Sequence, residues 1–161
     1  MLISSSAGGD EYLEHDEAAA SLGVPIDESV PPLVCLGLSG AVSQLTHLRT
    51  GIRTWASGAG MSVDDTADLV LATYEALTNA AEHAYRSGAW TVDLVAARTP
   101  DARIVVSVRD RGQWRPPPED PGFRGRGLSM MRSLAHELDV RADDDGTTVL
   151  MWWALPAERQ P

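Results

Sequence analysis

Lysine is absent from the 161 residues, and all 13 basic side chains are arginine. That excludes a Walker-A phosphate loop, a kinase of the eukaryotic type with its strand lysine, and any enzyme working through a lysine Schiff base. Cysteine occurs once, as Cys35, which excludes an internal disulfide and any multi-cysteine zinc or iron–sulfur site. No apolar run approaches the roughly 18 residues that a membrane helix needs. Residues 1–10 carry neither a basic n-region nor an apolar h-region, so no secretory signal is expected and the expected setting is the reducing cytoplasm. Positive charge is scarce: 23 acidic against 13 basic side chains leave a net charge of −10, which argues against nucleic acid or an anionic membrane as the main partner. At 43% hydrophobic and 22% charged, the chain can nevertheless bury a sizeable core.

The organisation expected from the pattern is one domain with tails. Residues 1–32 hold seven acidic and no basic side chains, with Pro25, Pro31 and Pro32 interrupting sparse apolar residues, and read as an acidic, largely flexible tail. Residues 33–155 read as the folded domain and 156–161 as a C-terminal tail. Within the domain, Leu33–Leu38 reads as a strand. Helical spacing follows over residues 41–56 and again from Ser62 to about Arg86, the second helix capped by Ser62 with Asp64 and Asp65 in its first turn. Residues 90–95 and 104–109 read as a hairpin around Thr99-Pro100-Asp101. A Pro/Gly/Arg-rich loop from Arg111 to Arg126 precedes a helix from Leu128 to about Leu138. Strands near 139–142 and over 147–154 close the domain. The order β-α-α-β-β-loop-α-β-β predicts a two-layer α/β sandwich, a mixed sheet with helices on one face.

Four short segments could carry chemistry. Glu75 and Asn79 are four apart on the second helix and share a face, with Glu82 and His83 one turn on; Asn79 is the only asparagine in the chain. Asp110 ends a strong apolar strand with Gly112 two residues later. Gly125-Arg126-Gly127-Leu128 opens a helix, where glycines permit close backbone approach and free N–H groups favour an anion. Gly146-Thr147-Thr148 opens the last strand. Each alone is ordinary; together, in this order and context, they are specific.

The set resembles the Bergerat ATP-binding fold of histidine kinases, gyrase-type ATPases and chaperone ATPases. Glu75-Ala76-Leu77-Thr78-Asn79-Ala80-Ala81-Glu82-His83-Ala84-Tyr85 closely resembles the N-box of the RsbW-like anti-sigma-factor serine kinases, and Gly125-Arg126-Gly127-Leu128-Ser129-Met130-Met131 resembles their second glycine box. The resemblance covers about Leu33 to Ala154.

That resemblance implies ATP and Mg²⁺ as cofactors. Asn79 would bind the metal through its amide oxygen, and Glu75 would be the general base that accepts the proton of an attacking hydroxyl. Asp110 would accept a hydrogen bond from the adenine amino group, with Gly112 letting the backbone pass close to the base. Gly125, Arg126, Gly127 and Leu128 would surround the phosphates, and Arg124 and Arg126 are the cations available to them. Thr148 or its neighbour Thr147 would supply a hydroxyl near adenine. The loop from Arg111 to Arg126 would be a short, Pro-rich lid. The implied partners are a sigma factor, an anti-sigma-factor antagonist of the STAS type whose Ser or Thr is phosphorylated, and a second copy of the chain. The implied role is transcriptional control of a stress response. The alternative function is a non-catalytic ATP- or ADP-binding regulator that acts only by sequestering its partner.

Overall fold

The computed structural model of the chain describes residues 17–38, 42–84, 91–111, 126–143 and 145–156, with residues 42–46, 82–84 and 126 described by their backbone alone. Five strands form one sheet: β1 (Leu33–Leu38), β2 (Val92–Arg98), β3 (Arg103–Asp110), β4 (Glu137–Asp143) and β5 (Gly146–Ala154). Among the described residues, three longer helices accompany them, α1 (Val42–Gly58), α2 (Val63–Ala84) and α3 (Arg126–Leu134), and residues 17–20 are also helical. No helix among the described residues is long and apolar enough to cross a membrane.

The strand order is β1-β2-β3-β5-β4, and every pairing is antiparallel. The two-layer α/β sandwich is as expected, but the sheet is not mixed. Two helices between β1 and β2 return the chain in the opposite sense, so those strands pair antiparallel. The single helix α3 carries the chain from β3 to β4, and β5 then inserts between those two strands. β3 and β4, which the α3 crossover leaves running the same way, are therefore never neighbours.

Alternation along the strands sorts the two faces. Val92, Leu94, Ala96, Ile104, Val106, Val108, Met151 and Trp153 point to the helices and join Leu48, Ile52, Leu69, Leu77 and Met131 in the main core. Val34, Val95, Ala97, Val105 and Leu150 lie on the opposite face. Ser62 caps α2: its hydroxyl takes the Asp65 N–H (3.1 Å) and donates to the Asp65 carboxylate (2.6 Å), and that carboxylate sits in the first turn where the helix dipole favours it. α3 stops at Leu134 rather than near Leu138. The Trp153 indole N–H takes the Leu134 carbonyl (3.0 Å), and the chain then bonds to β5 through His136 N–H and the Trp152 carbonyl (2.9 Å). Strand pairing outcompetes the helical apolar spacing there.

Residues 17–32, expected as part of a flexible tail, are packed on the domain. Ala19 and Leu22 are buried, and Leu22, Ala18, Val24 and Ile26 cover the outer face of the sheet. Asp27 donates its N–H to the Arg98 carbonyl (2.7 Å) and pairs its carboxylate with the Arg98 guanidinium (3.3 Å), while Trp55 donates to the Pro31 carbonyl (2.8 Å). An outer sheet face this apolar needs a cover, and four aliphatic side chains spaced along an otherwise acidic segment supply it. Residues 1–16 and 157–161 lie outside the described residues.

Candidate functional site

The fourth and fifth turns of α2 place the first group. Ala72, Ala76, Leu77 and Ala80 are buried and hold that stretch of helix between the sheet and α3. Glu75 and Asn79 are half-buried on one face of it. Gly127, in the first turn of α3, is seated directly against them. A β-carbon on Gly127 would overlap Glu75 Oε1 and would lie 2.9 Å from Asn79 Nδ2 and 3.2 Å from Asn79 Oδ1. Two segments 52 to 48 residues apart in sequence are thus one constellation: a carboxylate, a carboxamide and a bare stretch of helix start. The first N–H groups of α3 have no partner within the helix, and they form the positive end of its dipole. Leu128 is half-buried and packs on the main core. Its side chain is committed, so what it can offer a ligand is its N–H.

The end of β3 places the second group. Asp110 is the last residue of the strand, points to the helix side with Val106 and Val108, and is only 9% exposed. A carboxylate so enclosed accepts hydrogen bonds in a site where water competes poorly. Across the sheet Asp110 pairs with Thr147, and Arg109 pairs with Thr148. Directly paired residues share a face. Thr147, 4% exposed, therefore stands beside Asp110, whereas Thr148 lies on the outer face with Leu150 and Trp152. Of the two threonines, Thr147 is the one beside Asp110. The alternation Thr147, Val149, Met151, Trp153 held that signal. Gly146 completes this group with a φ of 140°. A β-carbon there would collide with the Asp110 carbonyl and sit 2.9 Å from Arg111 Cα.

The two groups are joined by residues 112–125, which leave β3 just past Asp110 and enter α3. Gly112, Arg124 and Gly125 lie outside the described residues, as do the side chains of Glu82, His83 and Arg126. Cys35 takes no part: burial pushes its thiol up to about 11, so it stays protonated and unreactive at neutral pH.

The arrangement suits a phosphorylated nucleotide carried with a hard cation. The Asn79 carboxamide is an oxygen donor of the kind Mg²⁺ accepts. The cradle at Gly127 leaves open the space a β-carbon would fill. The buried Asp110 is an acceptor placed to choose an amino group over a carbonyl.

Comparison with known proteins agrees with this geometry. Residues 38–153 match the family of histidine kinase-like ATPase domains. The serine-protein kinase RsbW of Bacillus licheniformis is 34% identical over 120 residues, spanning 65% of this chain and 74% of that protein. The RsbW of Bacillus pumilus is 32% identical over 121 residues, with the same coverage of both chains. Among solved structures, the RsbU and RsbW domains of a Mycobacterium tuberculosis protein superimpose with a TM-score of 0.63 at 30% identity, over 78% of this chain and 32% of that longer one. The Pseudomonas aeruginosa SiaB–SiaC complex has a TM-score of 0.59 at 14% identity, covering 90% of this chain and 100% of that one, a likeness of fold. This chain belongs to the histidine kinase-like ATPase family and, within it, to the serine-protein kinases of the RsbW type.

Proposed function

We propose that the protein is an anti-sigma-factor kinase. It binds Mg–ATP, holds a sigma factor in one state, and transfers a phosphoryl group to a Ser or Thr of a STAS-type antagonist, working in the cytoplasm as a homodimer. The observation that carries the catalytic part is the convergence of Glu75, Asn79 and Gly127. A magnesium ion held at Asn79 Oδ1 would neutralise charge on the nucleotide phosphates. Glu75, one turn away, is placed to take the proton of the attacking hydroxyl as the new oxygen–phosphorus bond forms and ADP departs. The first N–H groups of α3, at residues 126–128, hold phosphate oxygens at the positive end of the helix. Asp110 and Thr147 hold the adenine edge, the carboxylate accepting from the amino group. Gly112 and Gly125 keep the roles of close backbone approach to base and phosphate. The RsbW relatives, named as serine-protein kinases, support the same reading.

Glu75→Ala tests it. Phosphate transfer to a STAS-type antagonist should fall by about 10²–10⁴-fold, the usual contribution of a general base. Affinity for Mg–ATP should stay within about threefold, because the carboxylate is not asked to bind the nucleotide. Transfer at the native rate would remove Glu75 from the chemistry. Tight nucleotide binding by the native protein, with no transfer to any antagonist, would leave partner sequestration as the function.

A further inference from the structure

At the same end of the sheet, but on its outer face, Asp93 makes two bonds at once. One carboxylate oxygen accepts the Gly37 N–H at 2.8 Å, in the bulge that ends β1. The other meets the Arg111 guanidinium at 3.3 Å. The same guanidinium donates to the Thr91 hydroxyl at 3.4 Å. Arg111 thus lies flat along β2, straddling two side chains that project from the same face. Arg111 is also the residue after Asp110. Successive side chains of a strand point to opposite faces, so holding one down fixes the roll of the backbone that aims the other. Asp110 aims at the helix side, towards Thr147.

We infer that Asp93 and Arg111 are positioning residues for nucleotide recognition: their clamp on the outer face sets the direction of the Asp110 carboxylate on the inner face. The inference rests on the reading of Asp110 as the adenine acceptor. The register supports the coupling. Asp93 is paired with Arg109 and neighbours the Val92–Asp110 pair, so it sits one step from the carboxylate along the ladder. The bond to Gly37 ties the clamp to β1, which makes Asp93 a fixed point, whereas Arg111 is 65% exposed and has that fixed point and Thr91 to hold it in place. The structure therefore assigns selectivity for the purine to a pair of residues that never touch it.

The test is calorimetric titration of Mg–ATP and Mg–GTP into the full chain and into Asp93→Asn, Arg111→Gln, the double variant and Asp110→Asn. Each clamp variant should weaken ATP by about three- to tenfold, the usual worth of one charge-assisted hydrogen bond, and leave GTP unchanged. The double variant should be no worse than either single one, since both break the same bond. Arg111→Lys should restore part of the ATP preference. Arg111→Gln changes an exposed side chain, so it gives the answer even where Asp93→Asn does not fold. If Asp110→Asn abolishes the ATP preference and the clamp variants keep it whole, the clamp is overturned and the Asp110 reading stands. If the native protein shows no ATP preference, or Asp110→Asn retains it, the adenine reading falls and the clamp falls with it.

Discussion

Gly127 and Glu75 lie in contact with no room for a β-carbon between them. A glycine inside the first turn of a helix costs about 0.5–1 kcal/mol relative to alanine. Here the bare backbone is what lets the start of α3 reach the carboxylate and the carboxamide of α2. Gly127→Ala should therefore lose function although it raises helix propensity. The new methyl group would displace Glu75 or push α3 away, and overpacking of this kind costs about 1–3 kcal/mol. Phosphate transfer should drop at least about tenfold and Mg–ATP binding should weaken with it. Kinetics and calorimetry on the purified variant check both, and a variant with native kinetics would mean that the contact is slack.

Thr147 and Thr148 offer a paired comparison on opposite faces of β5. Thr147→Val keeps the volume and removes a hydroxyl beside Asp110. The ATP dissociation constant should rise by about three- to tenfold. Thr148→Val alters a residue paired with Arg109 on the outer face and should change ATP affinity by less than about twofold. Titration of the two variants side by side reads the register directly, and the reverse ranking would show that adenine lies against Thr148.

Much of this was legible in the chain, for physical reasons. Glu75 and Asn79 could be placed together because a helix has a fixed period, and eight elements could be set in order because apolar spacing switches cleanly between 3.6 and 2. The contact of Gly127 with that pair was not readable from spacing. It depends on how α3 lies on α2, and only resemblance brought the two motifs together. The antiparallel sheet was missed because sequence order does not reveal that β5 inserts between β3 and β4. That Thr147, and not Thr148, shares a face with Asp110 was within reach, since counting back by twos from Trp153 and Met151 arrives at it. The cover formed by residues 17–32 was hidden by composition. Acidic side chains and prolines outnumber Leu22, Val24 and Ile26, and those three acquire meaning only once Val34, Val95, Val105 and Leu150 are seen to share an outer face.

That cover should be worth measuring on its own. Leu22 is buried against the outer cluster. Leu22→Ala should cost about 2–4 kcal/mol, the range for removing a buried leucine side chain. The site lies on the opposite face of the sheet, so ATP affinity of the folded fraction should stay within about twofold of native. Denaturant unfolding and nucleotide titration separate the two quantities. A variant of native stability would show that residues 17–32 rest on the sheet without holding it.

Asp27 gives the same cover a dependence on pH. The Ser29 hydroxyl and N–H bond its carboxylate, and the Arg98 guanidinium lies beside it; these hold its pKa below the ordinary 3.8. A carboxyl whose folded value lies below its unfolded one stabilises the fold above the unfolded value, and that contribution is lost as pH falls through the folded one. The window is therefore below about pH 4. Asp27→Asn should melt below the native protein at pH 7, where the native carboxylate is charged, and the gap should close as the pH is lowered towards 3 and beyond. Asp101 is also held low, by the Thr99 hydroxyl and by Arg103. Both proteins carry it, so it cancels in the comparison. Thermal midpoints of the pair from pH 7 down to pH 2.5 give the result, and a gap that stays constant across that range would assign the bond at Asp27 to shape alone.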